Sequence, residues 1–144
     1  MIEKDTIKLL RECDAGIKMG VKSIDDVVDR VKSEEFRKRL IDCKKEHEEL
    51  DRDLQSALER FKDDGKEPNP MAKGMSKMKT EMKMAMDESD ATIADLMTDG
   101  CNMGVKSLNR YLNQYEAADE HAKDITKRLI NLEEKLAIDI RKYL

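Results

Sequence analysis

Apolar residues recur at steps of three and four along four long segments of the chain, a spacing that predicts four amphipathic α-helices. The first stripe consists of Ile7, Leu10, Cys13, Ile17, Val21, Ile24, Val28 and Val31. The second and most regular stripe consists of Phe36, Leu40, Cys43, His47, Leu50, Leu54, Ala57 and Phe61. The last two consist of Ile93, Met97, Cys101, Gly104, Leu108, Tyr111 or Leu112, and Tyr115, and of Ala122, Ile125, Leu129, Leu132, Leu136, Ile140 and Tyr143. Each stripe needs a partner surface, so the pattern predicts an all-α protein whose helices bury one another.

Residues with strong positional preferences mark the ends of the first two helices. Asp5 or Thr6 is expected to cap the first helix, and Ser33 is expected to cap the second. Gly65 suits the left-handed position that follows a helix, so the second helix is expected to end there. Residues 66–70 contain both prolines of the chain and are expected to form a loop.

The hairpins that these helices form are expected to build one domain over residues 1–144. The first hairpin covers 5–64, a crossover covers 65–89, and the second hairpin covers 90–144. Two hairpins that pair face to face form a four-helix bundle. Helices of about 28 residues are ~42 Å long, and a crossover of that reach leaves the second and third long helices parallel.

Methionines at helical spacing dominate the crossover and predict a further short helix there. The stripe consists of Met71, Met75, Met78, Met82 and Met86. Its first interpretation is a buried face that grips the bundle with adaptable thioether side chains. Two alternatives stay open: an exposed protein-binding surface, which the segment could also offer by swinging away from the bundle, and a Cu(I) clamp at Met82-x-Met84-x-Met86.

Two short sequences recur in the same order in the two hairpins. Residues 19–24 read Met-Gly-Val-Lys-Ser-Ile, and residues 103–108 read Met-Gly-Val-Lys-Ser-Leu. Lys-Arg-Leu-Ile occurs at both 38–41 and 127–130. The recurrence indicates an internal duplication. A glycine inside a helix costs ~1 kcal/mol relative to alanine, so the glycine of each repeat suggests a close approach between helices.

Composition narrows the class of protein. Charged residues make up 42% of the chain, but the net charge is only −4 and both signs are interspersed along the helices, which is typical of solvated faces. No basic patch with aromatic residues favours nucleic acid, and no apolar run favours a signal peptide or a membrane span. Cys13, Cys43 and Cys101 fall on apolar stripes, which favours buried free thiols and a cytoplasmic location.

The paired hairpins, the crossover with its own helix, and the stretches Asp14-Ala15-Gly16 and Thr98-Asp99-Gly100 resemble the ferritin-like superfamily. The chain is most similar to a bacterial family of small ferritin-like four-helix proteins of unknown function. The resemblance implies a ferritin-like bundle. Di-iron sites of this fold use a Glu from each of two helices and a Glu-x-x-His from each of the other two.

The chain departs from that ligand pattern. Ile17 and Cys101 follow the two glycines, where carboxylates would be expected. Lys44 and Ala118 stand three residues before His47 and His121, where the pattern needs glutamates. No metal site, cofactor or catalytic residue is therefore predicted. His47 itself is interpreted as a neutral core histidine, with the alternatives of a metal ligand or a proton carrier, and His121 is expected to meet solvent.

The predicted function is that of a non-enzymatic helical-bundle protein that acts through its surface or by oligomerisation. Its partner would be a second copy in a homodimer, or another protein. The alternative is a ferritin-like protein that handles iron, manganese or copper with a degenerate site. The sequence does not indicate the cellular process.

Overall fold

The computed structural model describes residues 2–144, and these residues form five α-helices and two 3-10 turns without any β-strand. The helices are α1 (Ile2–Val27), α2 (Glu34–Arg60), α3 (Pro70–Met86), α4 (Asp90–Gln114) and α5 (Glu120–Ile140). The 3-10 turns follow α1 and α5 directly. The prediction of an all-α protein is confirmed. Within residues 2–144, none of the helices has both the length and the apolar character that a membrane crossing requires.

Side-chain caps begin α2 and α4. The Ser33 hydroxyl accepts a hydrogen bond from the Phe36 amide at 3.2 Å, so α2 starts where the sequence predicts. The Ser89 hydroxyl accepts from the Thr92 amide at 3.2 Å and caps α4. Each cap satisfies an amide that has no partner inside its own helix.

The predicted start of α1 at Asp5 or Thr6 is wrong, because the helix already begins at Ile2. Both side chains have a different role. Asp5 accepts from the amide of Ala117 at 3.1 Å, and Thr6 accepts from the amide of Asp119 at 2.8 Å. These bonds attach the start of α1 to the turn between α4 and α5.

The four long helices pack side by side, and α3 lies outside them against α4. Helix α1 contacts α2, α4 and α5, and α5 contacts α2 and α4. One core cluster joins the first halves of α1 and α5 to the second halves of α2 and α4. A second cluster joins the remaining halves and includes Phe36, whose ring stacks on Tyr143 at 4.4 Å.

Most residues of the predicted stripes lie in this core, but the register is wrong in two places. In α1, Leu9 is fully buried, whereas the predicted Ile7 is only half-buried. In α5, Glu133 is buried where the sequence pattern chose Leu132. Both errors are shifts of one or two positions along a helix, where residues three and four apart share a face.

The predicted burial of the methionine stripe on α3 is wrong. Met71, Met75, Met78, Met82 and Met86 are 63–89% exposed, and only Met84 is buried. The reason is that the four long helices already form the core, which takes up Met84 as its one residue from α3. On the side of α3 that faces α4, Lys79 lies 3.4 Å from Asp99, and Lys83 lies 3.0 Å from Asp95. Helix α3 therefore turns its lysine side toward α4 and its methionines outward.

The loop after α2 is held to α1 by a buried carboxylate. Asp14 accepts hydrogen bonds from the Lys66 amide at 2.9 Å, from Gln55 Nε2 at 3.0 Å and from Lys18 Nζ at 3.0 Å. The predicted end of α2 at Gly65 is wrong, because the helix ends at Arg60 and the left-handed residue just after it is Lys62. Gly65 also has a positive φ, +84°, but it lies in the loop. A Cβ at this position would collide with the Asp14 carboxylate. These bonds attach the first residues of the crossover to α1.

Candidate functional site

A buried histidine on α2 is paired with a buried glutamate on α5. His47 on α2 is 1% exposed, and its Nε2 atom lies 2.9 Å from Oε1 of Glu133 on α5. Its Nδ1 atom lies 2.8 Å from the carbonyl oxygen of Cys43, one turn earlier in α2. Both ring nitrogens therefore have a partner.

These partners determine the charge of His47. A carbonyl oxygen can only accept, so Nδ1 carries a proton. Burial alone would lower the pKa of His47, but its contacts with the Cys43 thiol and the Glu133 carboxylate outweigh that cost and raise the pKa to about 10. These contacts favour the imidazolium form of His47 over the neutral form that the sequence predicts.

The thiols of the chain are free and buried, as the sequence predicts. Cys43 Sγ lies 3.5 Å from His47 Nδ1. Burial and the neighbouring Glu133 carboxylate raise the pKa of the Cys101 thiol. Burial raises the pKa of Cys13 to about 12, although its hydrogen bond with Thr126 opposes the shift. Cys13 and Cys101 therefore stay protonated, and a protonated thiol is a poor nucleophile.

Two glycines make room for the ion pair. A Cβ on Gly20 of α1 would lie 3.0 Å from His47 Nε2 and 3.4 Å from Glu133 Oε1. A Cβ on Gly104 of α4 would lie 3.6 Å from Glu133 Oε2. These are the glycines of the two similar sequences, and the close approach predicted for them is an approach to the buried pair. Gly20 is the tighter of the two positions.

Metal ligands do not converge around His47. Within residues 2–144, no group of three His, Cys, Asp or Glu side chains is placed to hold a metal ion. His121 is exposed at the start of α5, as predicted, and does not join His47. Ile17 and Cys101, at the positions where a di-iron site would need carboxylates, are buried in separate core clusters. The arrangement is a closed ion pair within a hydrophobic core.

Glu133 was missed by sequence reasoning, although a signal for it exists. The step from Leu129 to Glu133 is four residues and the step to Leu136 is three, so Glu133 fits the stripe as well as Leu132 does. An acidic residue at such a position, opposite a histidine on a neighbouring stripe, is the pattern of a buried ion pair.

The exposed side of α3 forms the second feature of interest, and we call it the methionine face. It consists of Met71, Met75, Met78, Met82 and Met86. Met84 lies on the other side of the helix and is 1% exposed, so the triplet proposed as a copper clamp does not converge. Besides Met84, α3 is held by exposed ion pairs, including Arg30 with Glu81 at 3.1 Å.

Comparison of the chain with protein-family models, curated proteins and solved structures gave no match. Its class therefore rests on its own geometry: an all-helical protein with a buried ion pair inside and an apolar helix face outside.

Proposed function

We propose that this chain is a non-enzymatic protein with a ferritin-like four-helix bundle, and that it acts by binding a protein partner through the methionine face of α3. The observation that carries the proposal is the exposure of five methionines at helical spacing on one helix. The bundle is the scaffold that presents this helix.

The distribution of the core supports the ferritin-like topology. Each cluster joins one half of α1 and α5 to the opposite half of α2 and α4. Such a distribution fits α2 and α4 running in the same direction, connected by a long crossover that contains α3. This is the topology of ferritin-like folds with one crossover.

Bonds between the hairpins support the proposed duplication. Thr6 near the start of α1 accepts from the amide of Asp119, the cap residue of α5. Asp90 at the start of α4 accepts from the amide of Ser33, the cap residue of α2, at 2.9 Å. The first helix of each hairpin thus holds the turn of the other, as two related halves around a pseudo-twofold axis would.

The physical chemistry of the methionine face supports a binding role. Burying a methionine contributes ~1.5–3 kcal/mol at ~25 cal/mol per Å², which corresponds to about 300–600 Å² for five side chains. Contiguous apolar patches of this size on a soluble protein commonly mark interaction sites. Methionine is flexible and polarizable, which suits a surface that packs against another helix.

The buried pair supports a structural role for the interior. His47 is 1% exposed, so a substrate has no route to it without opening the core. The three free buried thiols support a reducing compartment such as the cytoplasm.

Oxidation footprinting tests whether the methionine face is covered in the cell. Cells that express the full chain receive a brief hydrogen peroxide pulse, and sulfoxide is quantified at each methionine by mass spectrometry. Met103 on α4 is 69% exposed and serves as the internal reference. We expect the methionine face to oxidise several-fold more slowly than Met103 in cells, but at a similar rate in dilute purified protein. Equal rates in cells would overturn the binding role.

A separate assay tests whether the protein lacks the iron-oxidising activity of ferritin-like enzymes. Purified protein is mixed with Fe(II) and oxygen or peroxide, and iron oxidation is followed by absorbance. We expect iron to be oxidised at the same rate as in a control that contains no protein. Catalytic turnover, or stoichiometric iron, manganese or copper in gently purified protein, would contradict the proposal and favour the metal-handling alternative.

A further inference from the structure

We propose that α3 interconverts between two forms. Residues 79–86, the docked half, stay helical against α4 in both forms, whereas residues 70–78, the exposed half, exchange between helix and coil. Only the fully helical form presents the complete methionine face. The inference rests on the proposed function, because it states what controls that binding surface.

The ties between α3 and the rest of the bundle come from the docked half. Lys79 and Lys83 form ion pairs with α4, and Glu81 forms one with the turn after α1. Met84 is 1% exposed and belongs to the second core cluster. Within residues 2–144, no side chain of the exposed half forms a hydrogen bond or an ion pair with another helix. The docked half therefore fixes α3 to the bundle.

The exposed half meets solvent on nearly every side. Each residue from 70 to 78 is exposed except Lys73, which is half-buried. A Cβ built on Gly74 would have no heavy atom within 4 Å apart from its chain neighbours and its own helix backbone. Most helices in proteins are stabilised by packing of an apolar face, and an unpacked helix shorter than ~12–15 residues is marginal in water. The exposed half lacks such packing.

The sequence of the exposed half gives it little helical stability of its own. Gly74 shifts the helix–coil equilibrium toward coil about four- to fivefold relative to alanine. The first turn contains no acidic residue, and Lys73 and Lys77 place positive charge near the positive end of the helix dipole. These lysines are four residues apart, so they also repel each other on the helix surface.

The ends of the exposed half allow the helix to form and dissolve repeatedly. Asn69 and Pro70 are favourable start residues, and the Asn69 side chain accepts a hydrogen bond from the Met71 amide at 2.9 Å. At the other end the docked half is already helical, so the exposed half grows from it without a new nucleus. Segments of this kind open with free energies far below that of global unfolding.

The equilibrium controls how much of the binding surface is in place. Met71, Met75 and Met78 lie in the exposed half, whereas Met82 and Met86 lie in the docked half. The coil form therefore keeps only part of the methionine face in position. A surface that is complete in only a fraction of the molecules binds with an affinity reduced by that fraction. Any change that stabilises the helix should strengthen binding.

Amide hydrogen exchange of the purified full chain, followed by NMR, tests the two forms. The amides of 74–78 and of 82–86 both have carbonyl partners one turn earlier in α3. We expect protection factors at 74–78 to be lower than those at 82–86 by at least about tenfold. Equal protection in the two segments would overturn the inference, because α3 would then open as one unit.

Alanine substitution tests whether Gly74 sets the equilibrium. G74A should raise the protection factors at 75–78 by about three- to fivefold. G100A is the matched control, because Gly100 is an exposed glycine of α4 that also has no heavy atom near an added Cβ. It should leave 75–78 unchanged. Unchanged protection in G74A, or the same rise in G100A, would contradict the proposed equilibrium.

Proline substitution tests whether the exposed half is independent of the core. G74P breaks the helix in the exposed half, and A85P breaks it at an exposed position of the docked half. We expect G74P to shift the melting temperature by less than about 1 °C and A85P to lower it by a few degrees, since only A85P displaces Met84. Equal losses in both variants would show that the exposed half is part of the cooperative fold.

Peroxide footprinting in cells connects the equilibrium to binding. Met82 and Met86 stay in place in both forms, so they report on binding rather than on local unfolding. Relative to Met103, their protection should be lost in G74P and kept in G74A. Protection that persists in G74P would overturn control by the exposed half. Unprotected methionines in the wild type, together with the expected exchange pattern, would overturn the proposed function and leave the two forms of α3 intact.

Discussion

Nε2 of His47 lies 2.9 Å from Oε1 of Glu133, and this contact joins α2 to α5 inside the core. A buried ion pair adds little net stability, because desolvation of two charges opposes their attraction. We expect its effect to be on specificity, because only one register of α2 against α5 places the two groups in contact. Gly20 on α1 and Gly104 on α4 leave room for the two side chains in this register.

Removing one member of the pair should destabilise the protein strongly. E133L removes the counter-ion, so His47 loses its proton at neutral pH and its buried Nε2 atom is left without a hydrogen-bond partner, which typically costs ~1–3 kcal/mol. H47L/E133L removes both charges and should recover most of that loss. Urea unfolding followed by circular dichroism measures both values.

The matched control for this change is an exposed ion pair between the same two helices. Asp53 lies 3.0 Å from Arg128, and both side chains are about half exposed. D53L should change the free energy of unfolding by less than ~1 kcal/mol. If E133L and D53L cost the same, the buried pair does not have the role described for it.

Stability should decrease as the pH rises from about 6.5 to 10. The pKa of His47 is raised from 6.5 in its ordinary state to about 10 in the fold. Below pH 6.5 both the folded and the unfolded states bind the proton, so the charged His47 makes its full contribution to the free energy of unfolding. Between the two values only the folded state binds it, and stability falls with each step in pH.

Urea unfolding at pH 6.5, 7.0 and 7.5 measures this effect below the range in which the cysteines of the unfolded chain, whose ordinary pKa is 9.0, contribute. The slope with pH should be negative in the wild type and close to zero in H47L/E133L. A wild-type slope that the double variant retains would show that another group titrates.

Features encoded locally in the sequence were predictable, and features that depend on a neighbouring helix were not. Ser33 caps α2 as predicted, because that conformation is decided within a few residues. The methionine spacing identified α3 as a helix but not which side faces inward. That choice depends on the four long helices, whose core takes up Met84 as its one residue from α3.

The candidate site shows the same division. Periodicity placed His47 in the core, and this is confirmed. Its charge could not be predicted, because it depends on Glu133, which lies 86 residues further along the chain and contacts His47 only in the assembled core. A stripe defined by apolar residues alone leaves out Glu133, the acidic residue on which the charge of His47 depends.

Alanine at the two core glycines should have opposite effects. In G20A the new Cβ would lie 3.0 Å from His47 Nε2, and the ring cannot move away without breaking its bonds to Cys43 and Glu133. In G104A the nearest atom is 3.6 Å away, which is ordinary contact. Alanine favours a helix by ~1 kcal/mol over glycine.

G20A should therefore lower the melting temperature, and G104A should raise it slightly or leave it unchanged. Thermal unfolding by circular dichroism compares the two variants in the same buffer. Equal shifts in both would contradict the tighter fit at Gly20, and a stabilised G20A would mean that the His47 ring can give way freely.

Replacing the buried Asp14 should release the start of the crossover. Its carboxylate accepts from three donors: the Lys66 amide, Gln55 Nε2 and Lys18 Nζ. In D14N one of the two oxygens becomes an NH2 group, which must face at least one of these donors without a hydrogen bond. An unsatisfied buried polar group costs ~1–3 kcal/mol, so both the melting temperature and the local order of the loop should decrease.

Limited trypsin digestion measures the local effect, because Lys66 is itself a cleavage site next to the bond that Asp14 makes. Cleavage after Lys66 should be several-fold faster in D14N than in the wild type at a temperature where both are folded. D64N is the matched control, since Asp64 is exposed in the same loop and should leave the digestion rate unchanged. If D14N is cut no faster than D64N, the loop is held by the other contacts of α1, such as the ion pair between Lys18 and Glu67 at 2.9 Å.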